Sequence, residues 1–234
     1  MPFISGNWII QYELNQMERY LGLLQTTISD NQKQFNASIE KTVSTMTEDE
    51  KEDFYQFHED DFIEVSRDFP RQLFSSFVVS WYSFVENRLM NFCKSRNLKI
   101  SLSIQDNENY GKGIKRAYNF LYRAAGYKID NEYWNELTRI RKTRNKIVHN
   151  NGRLSFSSVN MPNNSVSVDV ASDVTLYLQI DKDLYQYIET HNLLEYIGVF
   201  YITPNFEYCK HLVDFGLEFF ERLHKDFRKE TQTE

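Results

Sequence analysis

The chain has 234 residues, 41% of them hydrophobic and 15% aromatic, which is enough apolar material for a packed core and excludes a globally disordered protein. Its formal net charge is −6, which excludes a protein that simply coats nucleic acid. The apolar stretch at residues 73–85 is shorter than the roughly 20 residues that a helix needs to cross a bilayer.

The two cysteines indicate the cellular compartment. Cys93 and Cys209 lie far apart in apolar segments and form no Cys-x-x-Cys pair, so we expect both to be buried and reduced. Glu13 and Glu18 interrupt the N-terminal segment, which therefore does not resemble a signal peptide. These features favour a soluble protein of the cytoplasm.

Two helical segments open the chain. Between residue 7 and about residue 39, apolar residues recur with helical spacing and predict a helix; they are Ile10, Leu14, Met17, Leu21, Leu24 and Ile28. Thr47 and Glu50 form a predicted capping box for a second helix, which is expected to end before Pro70. Together they define an N-terminal helical extension, residues 1–68, packed on the rest of the chain.

A helical domain is predicted from residue 69 to residue 229. Residues 71–97 are apolar on most sides, which is typical of the central helix of a bundle. Two further helices are predicted at residues 111–125 and 131–150, separated by turn residues around Gly126.

The hydrophobic period changes after Gly152. Apolar residues alternate on both sides of residues 171–173, and this predicts a β-hairpin at about residues 165–180. A closing amphipathic helix begins near Pro204, and residues 230–234 are expected to fray. The predicted fold class is therefore mainly α: a helical bundle with a small β-hairpin inserted before the last helix.

The most informative motif lies at the end of the helix predicted at residues 131–150. It contains Arg144, Asn145 and His149 within six residues. Arginine is a permanent planar cation suited to phosphate, histidine exchanges protons near neutral pH, and the asparagine amide can orient either group. The combination points to metal-independent cleavage of RNA, in which a base accepts the 2′-hydroxyl proton and an acid protonates the leaving 5′-oxygen.

Residues around the motif are candidates for binding the substrate and supporting the site. Arg141, Asn145 and His149 follow at four-residue intervals and share one stripe of a helix. The expected substrate-binding residues are Arg141, Lys142, Lys146 and Asn150. Glu86 is expected to pair with Arg144, which would either position the guanidinium for catalysis or neutralise it.

Positive charge is concentrated around the motif. Residues 111–153 contain eleven lysines and arginines against three acids, a net charge of +8, so the rest of the chain carries −14. Such a basic centre is a plausible contact for a polyanion, although a solvated helical face explains the same pattern. Four aromatic residues in this window could stack on exposed bases or belong to the core; they are Tyr122, Tyr127, Tyr133 and Trp134.

In-line attack on phosphorus predicts a homodimer. The base and the acid must lie on opposite sides of the phosphate, and one imidazole cannot easily do both. The chain carries one such motif. A two-fold dimer through the motif helix would bring two copies of His149 around one phosphate.

The sequence Arg144-Asn145-x-x-x-His149 resembles the Arg-polar-x-x-x-His signature of the HEPN superfamily (higher eukaryotes and prokaryotes nucleotide-binding domain). The resemblance covers residues 69–152 and includes the order of the helices. It implies an all-α bundle that dimerises through the motif helices, with Arg144, Asn145 and His149 in the catalytic positions. Many members of that superfamily are metal-independent ribonucleases of toxin–antitoxin or antiviral defence systems, so an antitoxin or another defence protein is an expected partner. No cofactor is expected.

Two alternatives remain open. Other members of the superfamily are inactive, so the chain could be a silent module that binds a protein or a nucleotide. It could also be a structural subunit whose acidic N-terminal helices dock onto a basic partner. No metal site is expected, because His58-Glu59-Asp60-Asp61 is typical of a solvated acidic face and the remaining histidines lack ligand spacing; these are His191, His211 and His224.

Overall fold

The computed structural model describes residues 6–97, 110–159, 165–172 and 174–230 of the chain. The fold is mainly α, as predicted. Its α-helices are α1 (Gly6–Val43), α2 (Glu48–Phe57), α3 (Glu59–Ile63), α4 (Phe69–Asn97), α5 (Ile114–Ala124), α6 (Asn131–Asn150), α7 (Lys182–Thr190) and α8 (Phe206–Glu230). Among the described residues, no helix has both the length and the hydropathy that crossing a membrane requires.

Short strands form two antiparallel sheets. The strands are β1 (Arg153–Leu154), β2 (Phe156–Ser157), β3 (Ser165–Ala171), β4 (Val174–Gln179), β5 (Leu194–Tyr196) and β6 (Phe200–Ile202). One sheet has the order β1-β6-β5 and the other β2-β4-β3. The predicted hairpin at about residues 165–180 is confirmed as β3 and β4, with Asp173 of its turn outside the described residues. Helix α7, strand β2 and the first sheet have no counterpart in the sequence prediction.

Helix α4 is the centre of the bundle, as its apolar character on most sides indicates. It contacts α1, α5, α6 and α8. Val78, Trp81, Val85 and Leu89 are completely buried in these contacts. The long helix α1 also packs along α8, and its apolar stripe joins the same core. The segment predicted as an extension, residues 1–68, therefore shares its packing with the helices that follow it.

The predicted helix break before Pro70 is wrong. A capping box between Thr47 and Glu50 starts α2, as expected, but the helical path then continues through α3 into α4. Residues 64–68 form a π-helical turn, in which the Phe69 amide donates to the carbonyl of Glu64. Proline cannot donate the next α-helical hydrogen bond, and the wider turn immediately before it accommodates the missing donor without ending the helix.

Both cysteines are buried and carry free thiols, as expected. Burial raises the pKa of the Cys93 thiol to about 12 and also raises the pKa of Cys209. Because the thiolate is the reactive form, both side chains act as small apolar core residues. The predicted frayed tail, residues 230–234, lies outside the described residues except for Glu230, the last residue of α8.

The end of α6 is tied to strand β6 through Gly152. The amides of Asn151 and Gly152 both donate to the carbonyl of Lys146, and the Ile202 amide donates to the Gly152 carbonyl at 2.8 Å. Gly152 has φ +79°, and a Cβ atom there would lie 2.6 Å from the Ile202 carbonyl oxygen. Glycine is therefore required both by the backbone conformation and by the close approach of β6.

Replacing Gly152 with alanine is expected to lower the free energy of unfolding by about 2 kcal/mol or more, because a left-handed backbone and a backbone clash are combined. Gly198→Ala is the matched control, since Gly198 has φ +78° and open space around its Cβ position. This control should cost about 1 kcal/mol. Urea unfolding of both variants measures the difference, and equal losses would show that the contact with β6 is unimportant.

Candidate functional site

Helix α6 carries the predicted catalytic residues. It begins at the N-cap Asp130, whose carboxylate accepts a hydrogen bond from the Glu132 amide, and it ends at Asn151 in the left-handed conformation. Its buried face consists of Leu137, Ile140, Thr143 and Ile147. These residues fix the rotation of the helix, so the polar residues between them occupy its flanks.

Arg144 is held in place by neutral groups. Its Nη1 donates to the Oδ1 atom of Asn145 at 3.0 Å, and its guanidinium carbon lies 5.2 Å from the ring centroid of Tyr82 in a cation–π contact. The Nε atom of Arg144 is buried and has no hydrogen-bond partner among the described residues. Arg144 as a whole is half-buried, and a guanidinium held by neutral groups keeps its full charge for an anion.

The predicted ion pair between Glu86 and Arg144 is not formed. No nitrogen of Arg144 lies within 4.0 Å of a Glu86 carboxylate oxygen. Instead, Oε1 of Glu86 lies 3.3 Å from the position that a Cβ atom would take on Gly113. Gly113 is the N-cap of α5, so Glu86 lies beside the start of that helix, although no side chain caps it by a hydrogen bond. Among the described residues, Arg144 forms no ion pair with an acid.

Tyr82 is a site residue that the sequence reasoning missed. Burial raises the pKa of its hydroxyl to about 12, and Glu86 adds to this shift while Arg141 and Arg144 oppose it. Tyr82 thus lies within electrostatic reach of all three residues and stays neutral at physiological pH. Its position four residues before Glu86, on the same face of α4, is the sequence signal that would have found it.

The structure places His149 in the last turn of α6, where it is exposed. Its neighbours Val148 and Asn150 are exposed too, and Val148 shows 45% of its surface. The imidazole can therefore reach a ligand from solvent. Arg144 and His149 are five residues apart, which is about 7.5 Å along the helix axis.

Lys142, predicted to bind substrate, is engaged with α7. Its Nζ atom lies 3.1 Å from Asp181 and 3.7 Å from Asp183. Arg139 also contacts Asp183, at 2.7 Å, and this hydrogen bond is the main reason that the pKa of the Asp183 carboxyl is lowered. Part of the positive charge predicted around the motif is thus neutralised by acids that lie outside the basic window.

The other predicted binding residues differ in accessibility. Arg141 and Lys146 are half-buried, and Asn150 is exposed. Among the four aromatic candidates for base stacking, Tyr122 is 54% exposed. The other three pack against the hydrophobic core; they are Tyr127, Tyr133 and Trp134. Tyr122 is therefore the aromatic of the basic window best placed for stacking.

Comparisons of the chain with models of known families, with curated proteins and with solved structures found no match. The function is inferred from the geometry of the described residues. That geometry combines an oriented guanidinium, an amide that holds it, and an exposed imidazole on one helix. Such a set can bind a phosphate and exchange a proton with it.

The engagement of Lys142 predicts a difference between two lysines of α6. Lys142→Ala should lower the free energy of unfolding by about 0.5–1 kcal/mol at low salt, because Asp181 loses its ion pair and Asp183 keeps only Arg139. Lys146→Ala is the control, since the described residues include no ion pair to its side chain. Thermal unfolding at low salt and at about 1 M salt tests this, because salt should remove most of the difference. Equal stability of the variants at low salt would contradict the structural role of Lys142.

Proposed function

We propose that the protein is a metal-independent endoribonuclease of the HEPN type that acts in prokaryotic defence or in a toxin–antitoxin system. One observation carries the proposal. Arg144 is half-buried, is oriented by Asn145 and Tyr82, and makes no ion pair with Glu86, while the exposed His149 lies further along the same helix. The resemblance of the motif to the HEPN signature supports the same function.

The proposed reaction needs a base, an acid and a charge that stabilises the transition state. One His149 accepts the proton of the ribose 2′-hydroxyl, and the 2′-oxygen attacks the adjacent phosphorus. The bond from phosphorus to the 5′-oxygen breaks, and a second imidazole donates a proton to that oxygen. The products are a 2′,3′-cyclic phosphate and a free 5′-hydroxyl. Arg144 offsets the charge that grows on the phosphoryl oxygens, and Asn145 fixes its orientation.

The second imidazole is proposed to come from a second copy of the chain. Val148, an apolar residue beside His149, is 45% exposed on the motif helix. A two-fold contact around this residue would cover that surface and bring two motifs together. The reduced thiols of Cys93 and Cys209 fit the reducing cytoplasm in which an RNA-cleaving enzyme of this type would act.

We expect RNA cleavage in the presence of EDTA, and we expect Arg144→Ala and His149→Ala each to reduce the rate by at least about 100-fold. The substrate is a mixture of single-stranded and structured RNA, and the product ends are identified by mass spectrometry. The matched controls are Arg19→Ala and His58→Ala. Arg19 is an exposed arginine of α1, and the imidazole of His58 contacts Asp61; both residues are far from the motif in the sequence. Both controls should cleave at the wild-type rate. Equal cleavage by all five proteins would identify a contaminant and reject the proposal.

The dimer has its own test. Val148→Asp should convert the protein to a monomer in sedimentation velocity at about 10 μM and abolish cleavage, because a charge cannot be buried unpaired at the contact. Val159→Asp is the control, since Val159 is 70% exposed after β2. It should leave both the mass and the activity unchanged. A monomeric wild type with full activity would contradict the shared active site.

A second candidate is a catalytically inactive HEPN-like module that binds a protein or a nucleotide. The pairing of Arg139 and Lys142 with the acids of α7 favours it, because these cations are less available to an RNA backbone. The cleavage experiment separates the two candidates. A folded, dimeric wild type that leaves RNA intact would favour the binding module.

A further inference from the structure

Three side chains that can ligate a metal ion meet at the junction of α6, α7 and α8. Glu136 belongs to α6, His191 is the C-cap of α7, and His211 belongs to α8. One ligating atom of each lies within 4.8 Å of those of the other two. The rings of His191 and His211 are 4.5 Å apart between centroids. These residues are distant in the sequence, and only the packing of the three helices brings them together.

The chemistry and burial of these side chains suit metal binding. The cluster combines one carboxylate with two imidazoles, and all three residues are half-buried at the junction of the helices. Carboxylate oxygen and imidazole nitrogen are both common ligands of transition-metal ions.

Neighbouring side chains hold the Glu136 carboxylate in one orientation, as a metal ligand requires. Its Oε1 atom accepts a hydrogen bond from the Tyr187 hydroxyl at 2.8 Å and lies 2.9 Å from Nε2 of His211. Only 17% of the Glu136 side chain is exposed. Tyr187 is buried, so it holds the carboxylate in one orientation from behind. Outer groups of this kind position the ligands of natural metal sites.

A cavity of about 450 Å³ opens beside the cluster. Its lining includes Glu136 and His211 together with three further acids, which are Glu132, Asp214 and Glu218. The one cation in that lining is Arg139, which lies 2.7 Å from Asp183 and 3.9 Å from Glu136. The cavity is therefore acidic, and it leaves room for a water molecule beside Glu136 and His211.

We propose that Glu136, His191 and His211 form a binding site for a divalent transition-metal ion, with Zn²⁺ as its natural occupant. Two imidazoles and one carboxylate favour Zn²⁺ over Mg²⁺ and Ca²⁺, which prefer oxygen ligands alone. Zinc ligands lie about 2.0–2.2 Å from the ion, so small side-chain rotations bring the three atoms into range. Water in the cavity occupies the fourth position. The site is separate from the motif of Arg144 and His149 and does not depend on the proposed ribonuclease activity.

Isothermal titration of the chelator-treated full chain with ZnCl₂ tests the site. We expect one ion per chain, and we expect Glu136→Gln, His191→Gln and His211→Gln each to weaken binding by about 100-fold or more, since changes in outer groups alone cost 10–100-fold. His58→Gln is the matched control, because His58 contacts Asp61 and belongs to no three-ligand group among the described residues. It should bind Zn²⁺ like the wild type.

Two further measurements guard against misfolded variants. Tyr187→Phe keeps the buried ring and removes only the hydroxyl that holds Glu136, so it should weaken Zn²⁺ binding by about 10-fold while remaining folded. Co²⁺ bound to the wild type should show the intense visible absorption of a four-coordinate ion, and the glutamine variants should lose it. Absence of Zn²⁺ binding by folded wild type at about 100 μM, or unchanged affinity in any of the three ligand variants, would overturn the proposal. The outcome of the Zn²⁺ binding experiments does not affect RNA cleavage in EDTA. The metal-site proposal and the ribonuclease proposal can therefore be rejected independently.

Discussion

Close packing around Trp81 is the constraint on which the rest of the bundle depends. Trp81 is completely buried in α4, and Gly216 of α8 allows the contact: a Cβ atom there would lie 3.4 Å from the indole and 3.1 Å from Leu14 of α1. Three helices therefore meet without space between them. The rotation of α4 set by this contact carries the adjacent residue Tyr82 to the flank where it meets Arg144. The location of the polar site thus follows from the packing of the apolar core.

The two halves of helix α6 lie in chemically different surroundings. Its C-terminal half carries Arg144 and His149, and the groups that contact Arg144, Asn145 and Tyr82, are neutral. Its N-terminal half presents Glu136 to the histidines of α7 and α8. Arg139 and Lys142 lie between the two, and the acids of α7 compensate their charge.

The sequence predicted the long elements well because their patterns are local. Helical spacing placed α1, α4 and α6 within a few residues of their observed ends, and alternation located the hairpin of β3 and β4. The break expected at Pro70 was wrong because a π-helical turn substitutes for the missing hydrogen bond, and no sequence periodicity reveals such a turn. Strands β5 and β6 are three residues each, too short for alternation to be recognised.

Long-range packing limits how much of the candidate sites can be predicted from the sequence. The motif is contiguous in sequence, so Arg144, Asn145 and His149 are recognisable from their spacing along the chain alone. The position of Glu86 beside Gly113 is not recognisable in this way, because it depends on how α4 and α5 pack together. The expectation that His191 and His211 lack ligand spacing considered only their separation along the chain, whereas three helices bring both residues close to Glu136 in space.

The tie between Gly152 and Ile202 also determines how His149 moves. The last turn of an α-helix ordinarily frays, and a residue there must recover its backbone conformation before it can act. Here β6 holds the carbonyl of Gly152, so the backbone beneath His149 is fixed while its side chain remains exposed. The imidazole therefore changes its orientation by side-chain rotation, on a timescale of about picoseconds to nanoseconds, rather than by slower opening and closing of the helix end. Folding of the chain thus supplies most of the backbone order at this residue.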